Sequence, residues 1–140
     1  IYDKKLPMIA AIHVGWKGAF KNILKKCIKF MIKKGSENKN ISAVIGPSIF
    51  RENYEVKKEF MKRFLNLNDR NRKFFYFKKT RIFFDLKEFI KSQLRSLKIS
   101  NIDIINKDTF KNRTEFFSAR RALKNKEDDY GRNISIIMLK

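Results

Sequence analysis

The sequence predicts an α/β (α+β) domain, with mixed sheets and flanking helices. Three observations carry that prediction. Short continuous apolar runs, Met8 to Ile12 and Ile41 to Ile45, have the character of strands covered on both faces. A segment with helical apolar spacing lies between them, and glycines stand at the joints. A chain of 140 residues with a hydrophobic fraction of 43% can also bury a sizeable core. No repeat, low-complexity tract or Pro/Gly-rich linker interrupts it, so a single domain over residues 1–140 is expected.

The elements follow in order. Pro7 to Val14 reads as the first strand, punctuated by Gly15 and Gly18. From Ala19 to Lys34, apolar side chains fall at Phe20, Ile23, Leu24, Cys27, Ile28 and Met31, which is one helix face; Lys21, Lys25, Lys29 and Lys33 lie elsewhere on it. Gly35 suits a left-handed stop. Ile41 to Ile45 is the second strand, closed by Gly46 and Pro47, and the three elements together suggest a right-handed parallel crossover. A helix over Tyr54 to Leu65 turns Val56, Phe60 and Phe64 inward. Phe74 to Phe77 reads as a buried strand rather than a platform for stacking bases. Asp85 and Glu88 form a capping-box-like start to a helix over Leu86 to Leu97, and the last strands are Ile102 to Ile105 and Ile134 to Leu139.

The charge is extreme. There are 34 Lys and Arg against 14 Asp and Glu, a formal net charge of +20. Clustered bases release counterions from a phosphate backbone, so a basic nucleic-acid-binding module is one candidate class. However, Lys, Ile, Phe and Asn together make up nearly half the chain. All four share A/T-rich codons, and selection for nucleic acid gives no reason to enrich Ile or Asn. The balance favours compositional drift and a solvated face, with nonspecific attraction only. One Cys excludes a disulfide framework, and no apolar run reaches the roughly 18 residues of a membrane-spanning helix. A soluble, cytoplasmic domain is expected.

Three clusters could carry chemistry. His13 is the single histidine, placed at the expected end of the first strand before Val14-Gly15-Trp16-Lys17-Gly18. Ligands in sheet-based folds gather at such strand ends, although a lone histidine can equally be a hydrogen-bonded core residue. Ser48, in Gly46-Pro47-Ser48, ends the second strand and is either a pocket hydroxyl or a turn residue. Phe116-Phe117-Ser118-Ala119-Arg120-Arg121 places two guanidinium groups side by side, suited to a phosphate or carboxylate, or simply a solvated basic turn. Cys27 lies on an apolar helix face and reads as core packing.

Taken in order, these motifs resemble one family. They are His13-Val14-Gly15-Trp16-Lys17-Gly18, Ile45-Gly46-Pro47-Ser48 with Tyr54-Glu55-Val56, Phe84-Asp85-Leu86, Phe116 to Arg121, and Gly131-Arg132. The series is similar to the YfiH family, also called the laccase-domain or multicopper polyphenol oxidase family, whose members are described as purine nucleoside phosphorylases. Lys17 stands where the family normally has Arg, Ser48 where it often has Cys, and Ala119 where it often has Tyr.

The resemblance implies a four-layer architecture and phosphorolysis of purine nucleosides, with adenosine deaminase activity as well. Purine nucleosides and phosphate would be the partners, and no membrane. It further implies a metal site, zinc with copper as the alternative, built from two His and one Cys. Only one of these ligands carries over, onto His13; Lys17, Ser48, Arg120 and Arg121 become the expected substrate or phosphate contacts. The other two ligands have no counterpart in this chain, which therefore reads as the C-terminal portion of a family member with its N-terminal part missing. The ligand set is incomplete, so the chain alone is expected to be inactive. It would be one half of a split enzyme completed by a separate N-terminal fragment, or a non-functional gene remnant.

Overall fold

The computed structural model describes residues 1–139. Helices and two small sheets give an α+β chain, which divides into two compact units. The first comprises residues 1–46, 90–105 and 135–140, and the second 47–89 and 106–134.

In the first unit, β1 (Tyr2–Asp3), β2 (Ile41–Ile45) and β6 (Asn101–Ile104) form a mixed sheet in the order β1-β2-β6. β1 pairs antiparallel to β2, and β6 runs parallel to it with Ala43 opposite Ile102. The parallel partner of β2 is therefore β6, and not the early strand the sequence suggested. Pro7 to Val14 is not a strand; its one bridge is Ile9 to Tyr2. The Asp3 carboxylate accepts the N–H groups of Lys5 (2.7 Å) and Leu6 (3.0 Å), which turns the chain back sharply after β1. β1 then occupies the edge of β2 that the apolar run would have needed.

The long helix forecast over Ala19 to Lys34 is two, α1 (Trp16–Phe20) and α2 (Ile23–Lys33). Asn22 breaks it with φ of 53°, a left-handed conformation that asparagine tolerates better than most residues. The apolar face is as the spacing predicts: Ala19, Leu24, Ile28 and Met31 are buried, and Lys25, Lys29 and Lys33 are exposed. Gly35, at φ +105°, ends α2 while Ser36 N–H donates to the Met31 carbonyl.

The second unit holds an antiparallel sheet in the order β3-β5-β4, from β3 (Glu55–Val56), β4 (Phe75–Lys78) and β5 (Arg81–Phe84). Glu55 and Val56 pair with Phe83 and Ile82, so the predicted helix over Tyr54 to Leu65 gives way to a strand and then α3 (Lys58–Leu67). Only half the aromatic run is buried: Phe74 and Phe75 face inward, whereas Tyr76 and Phe77 lie exposed on the edge strand β4. The core is a cluster of rings centred on Phe64 and Phe84, both 0% exposed, 4.9 Å apart and each close to Phe60, Phe75 and Phe89. Burying a ring of this size stabilises by about 2–3 kcal/mol.

Helix α4 (Leu86–Ser96) starts as the sequence predicts, the Asp85 carboxylate accepting the Glu88 N–H at 3.0 Å. A short helix that periodicity did not reveal, α5 (Ala119–Asn125), begins at Ser118, whose Oγ accepts the Arg121 N–H. Ile134 to Leu139, expected as a strand, pairs with none among the described residues; Ile134, Ile136 and Met138 are exposed. Alternating apolar residues supply strand propensity, but a strand exists only where another backbone completes its hydrogen bonds. Among the described residues no helix is long and apolar enough to cross a membrane.

Candidate functional site

His13 and Lys17 belong to the first unit. His13 is exposed, which removes the core-histidine alternative. Gly15 caps α1 in an extended conformation, and a Cβ placed there would stand 3.4 Å from His13 Nε2. A Cβ at Gly18 would lie 3.5 Å from the Ile23 side chain and 3.7 Å from the His13 carbonyl, so at both glycines a small side chain would meet its neighbours at ordinary van der Waals distance. Lys17 is exposed, its amine 5.7 Å from the Trp16 ring. Cys27 is half-buried on α2, and burial pushes its thiol up, away from the thiolate a metal or a nucleophilic role requires.

The second unit contains Ser48, Arg120 and Arg121, together with a residue that sequence reasoning missed. Asp108 is buried, and its carboxylate accepts the Phe50 N–H (3.2 Å), the Phe110 N–H (2.9 Å) and the Asn53 amide (2.6 Å). It ties the loop after Ser48 to the segment after β6. The backbones join as well: Ser48 N–H donates to the Lys107 carbonyl, and Thr109 N–H donates to the Ser48 carbonyl. Ser48 Oγ is buried and has no hydrogen-bond partner among the described residues, an unmet polar atom that a ligand could satisfy. Lys87 stands 4.1 Å from the Phe50 ring; burial pushes its amine down, against the pull of Asp108 and Asp85.

The two arginines have different surroundings. Arg121 Nη1 donates to the carbonyls of Thr109 (2.8 Å) and Phe110 (2.9 Å), and Nη2 to that of Phe116 (2.6 Å). Three of its five N–H donors are therefore committed to backbone. Arg120 is exposed, pairs with no carboxylate among the described residues, and lies 5.1 Å from the Tyr54 ring centroid. Around them Asn133 clips the Phe117 backbone from both sides, accepting its N–H and donating to its carbonyl. Gly131 lies against the same residue, and a Cβ there would come within 2.6 Å of the Phe117 ring.

A closed metal site needs three or four protein donors. Among the described residues no group of three or more His, Cys, Asp or Glu side chains is placed to hold an ion. The residues described therefore do not by themselves fit zinc or copper.

The profile of the multi-copper polyphenol oxidoreductase laccase family matches residues 1–140. The chain is 36% identical over 136 residues to a purine nucleoside phosphorylase of Rickettsia conorii, covering 95% of this chain and 55% of that protein. It is 34% identical over 73 residues to an adenosine deaminase of an unknown prokaryotic organism, covering 49% of this chain and 28% of that one. Among solved structures, the hypothetical protein YfiH of Bacillus licheniformis matches with a TM-score of 0.70 and 32% identity, over 78% of this chain and 43% of the other. The chain spans about half the length of the curated relatives it matches over most of its own length.

Proposed function

Since the chain belongs to the multi-copper polyphenol oxidoreductase laccase family, we propose that it serves purine nucleoside phosphorolysis, with adenosine deamination as a second activity. In phosphorolysis a phosphate oxygen bonds to C1′ of the nucleoside while the bond from C1′ to the purine nitrogen breaks. The products are pentose 1-phosphate and the free base, the nitrogen taking up a proton.

The observation that carries this proposal is the division between the two guanidiniums. Arg121 is spent on three carbonyls and braces the loop, whereas Arg120, bonded to the Tyr54 hydroxyl, keeps most of its planar fork for a dianion. Ser48 would offer its unpartnered hydroxyl to a substrate oxygen. Within the first unit, Lys17 would supply positive charge and His13 an exposed imidazole able to serve as one donor of a larger ligand set. One imidazole does not hold an ion, so we expect these 140 residues alone to bind phosphate without turnover.

Isothermal titration of the purified chain with inorganic phosphate at 150 mM salt tests the site. Saturable binding that Arg120→Ala weakens about tenfold is expected, with binding of inosine unchanged. Phosphate binding that is absent, or indifferent to Arg120, would overturn the assignment. Hypoxanthine release from inosine and phosphate by the chain alone, abolished by His13→Ala, would overturn the expectation of binding without turnover. A steep, sequence-dependent salt slope on duplex DNA would instead favour the nucleic-acid module.

A further inference from the structure

Tyr54 has no role in the function proposed above, yet its placement is unusual for a surface loop. It follows the short 3₁₀ turn Arg51–Asn53 and precedes β3, and only 6% of it is exposed. Its backbone is held on both sides: the N–H donates to the Arg51 carbonyl, and the carbonyl accepts the Phe84 N–H at 3.0 Å. Its ring meets Phe84 edge-on at 6.0 Å and Phe60 at 6.4 Å. The phenyl group is thus wedged into the ring cluster at the core of the second unit. What lies over it is the Arg120 guanidinium, 5.1 Å from the ring centroid.

The ring and the Tyr54 hydroxyl, which accepts a hydrogen bond from the guanidinium, together hold the Arg120 side chain, whose head pairs with no carboxylate among the described residues. An exposed arginine has many rotamers, and a free one would lose most of that freedom on binding an anion. A ring face attracts a guanidinium without occupying its in-plane N–H donors, so those beyond the one given to the Tyr54 hydroxyl stay available to oxygen ligands. A carboxylate in the same place would hold the fork equally well but would compete with the anion.

We infer that Tyr54 is a positioning residue for phosphate recognition, an aromatic platform that holds the Arg120 fork ready for the anion without neutralising it. The inference rests on the assignment of Arg120 to phosphate. It accounts for a tyrosine kept in the core with its ring beneath an exposed cation and its hydroxyl bonded to that same cation.

The test is a double-mutant cycle read as phosphate affinity, by the titration described above, with thermal unfolding of each variant recorded alongside. Tyr54→Phe keeps the ring but removes the hydroxyl bonded to Arg120, and should weaken phosphate binding by about twofold, less than loss of the ring. Tyr54→Leu keeps bulk but removes the ring face, and should weaken phosphate binding about threefold. In an Arg120→Ala background, Tyr54→Leu should have no further effect, because there is nothing left to position. If Tyr54→Leu proves poorly folded, the comparison passes to Arg120→Lys. That variant keeps the charge but gives up the planar stacking group, and should lose affinity in wild type and Tyr54→Phe alike. Binding lost on Arg120→Ala but unchanged in Tyr54→Leu, or equal losses from Tyr54→Leu with and without Arg120, would overturn the platform alone. Binding indifferent to Arg120 would overturn the phosphate assignment beneath it.

Discussion

The segment leading into α1 and the start of α5 both present candidate ligand-binding side chains, and they are held in opposite ways. Around α5, backbone and side chains are cross-tied: Arg121 to three carbonyls, Asp108 to three donors, Asn133 to both polar groups of Phe117. Before α1, the run from Pro7 to Val14 makes one strand bridge, its hydrogen bonds fall early, at Met8 and Ala10, and His13 stands exposed. One site is cross-tied by hydrogen bonds, the other presents its side chain to solvent. Mutations in the first should therefore register in stability, and mutations in the second should not.

Asp108→Ala would break this comparison most forcefully. It strands two half-buried N–H groups and the Asn53 amide at once, and should cost about 3 kcal/mol in urea denaturation. A loss below 1 kcal/mol by the same measure would mean that water replaces the carboxylate freely and that the hub is no hub. Arg121→Met removes donors from three carbonyls but keeps much of the side-chain volume. Carbonyls tolerate a missing partner better than N–H groups do, so about 1.5 kcal/mol is expected. His13→Ala should change stability by less than about 0.5 kcal/mol, as for other exposed positions away from packed or bonded features. A larger loss in thermal unfolding would show that the imidazole is structural after all, and would end the contrast between the two segments.

What the sequence disclosed and concealed follows the same division. The faces of α2 and α4, the left-handed stop at Gly35 and the cap at Asp85 were all legible, because each depends on residues within a few positions of one another. The break at Asn22 was not: apolar spacing runs through it unaltered, and only the backbone conformation of one residue divides the helix. The early apolar run and the final Ile134 to Leu139 carry strand propensity, but pairing requires a neighbour that local pattern does not specify. The paired arginines stood out as a pair, yet their separate duties were hidden, since Arg121 acts on Thr109, Phe110 and Phe116 through their backbone carbonyls, which any residue supplies. Asp108 was invisible for a related reason. Its partners Asn53 and Phe50 are 55 and 58 residues away, and one of the bonds is to backbone. Nothing in spacing announces such a residue.

The cross-ties around Asp108 and Arg121 have one more consequence. Loops that close on a ligand ordinarily surrender conformational entropy at that moment, at about 1–2 kcal/mol for each residue immobilised. Here residues 108–121 are immobilised when the chain folds, so an anion arriving at Arg120 meets a backbone with little left to freeze. Association there should be fast, and should produce scarcely any change in amide hydrogen exchange across that stretch.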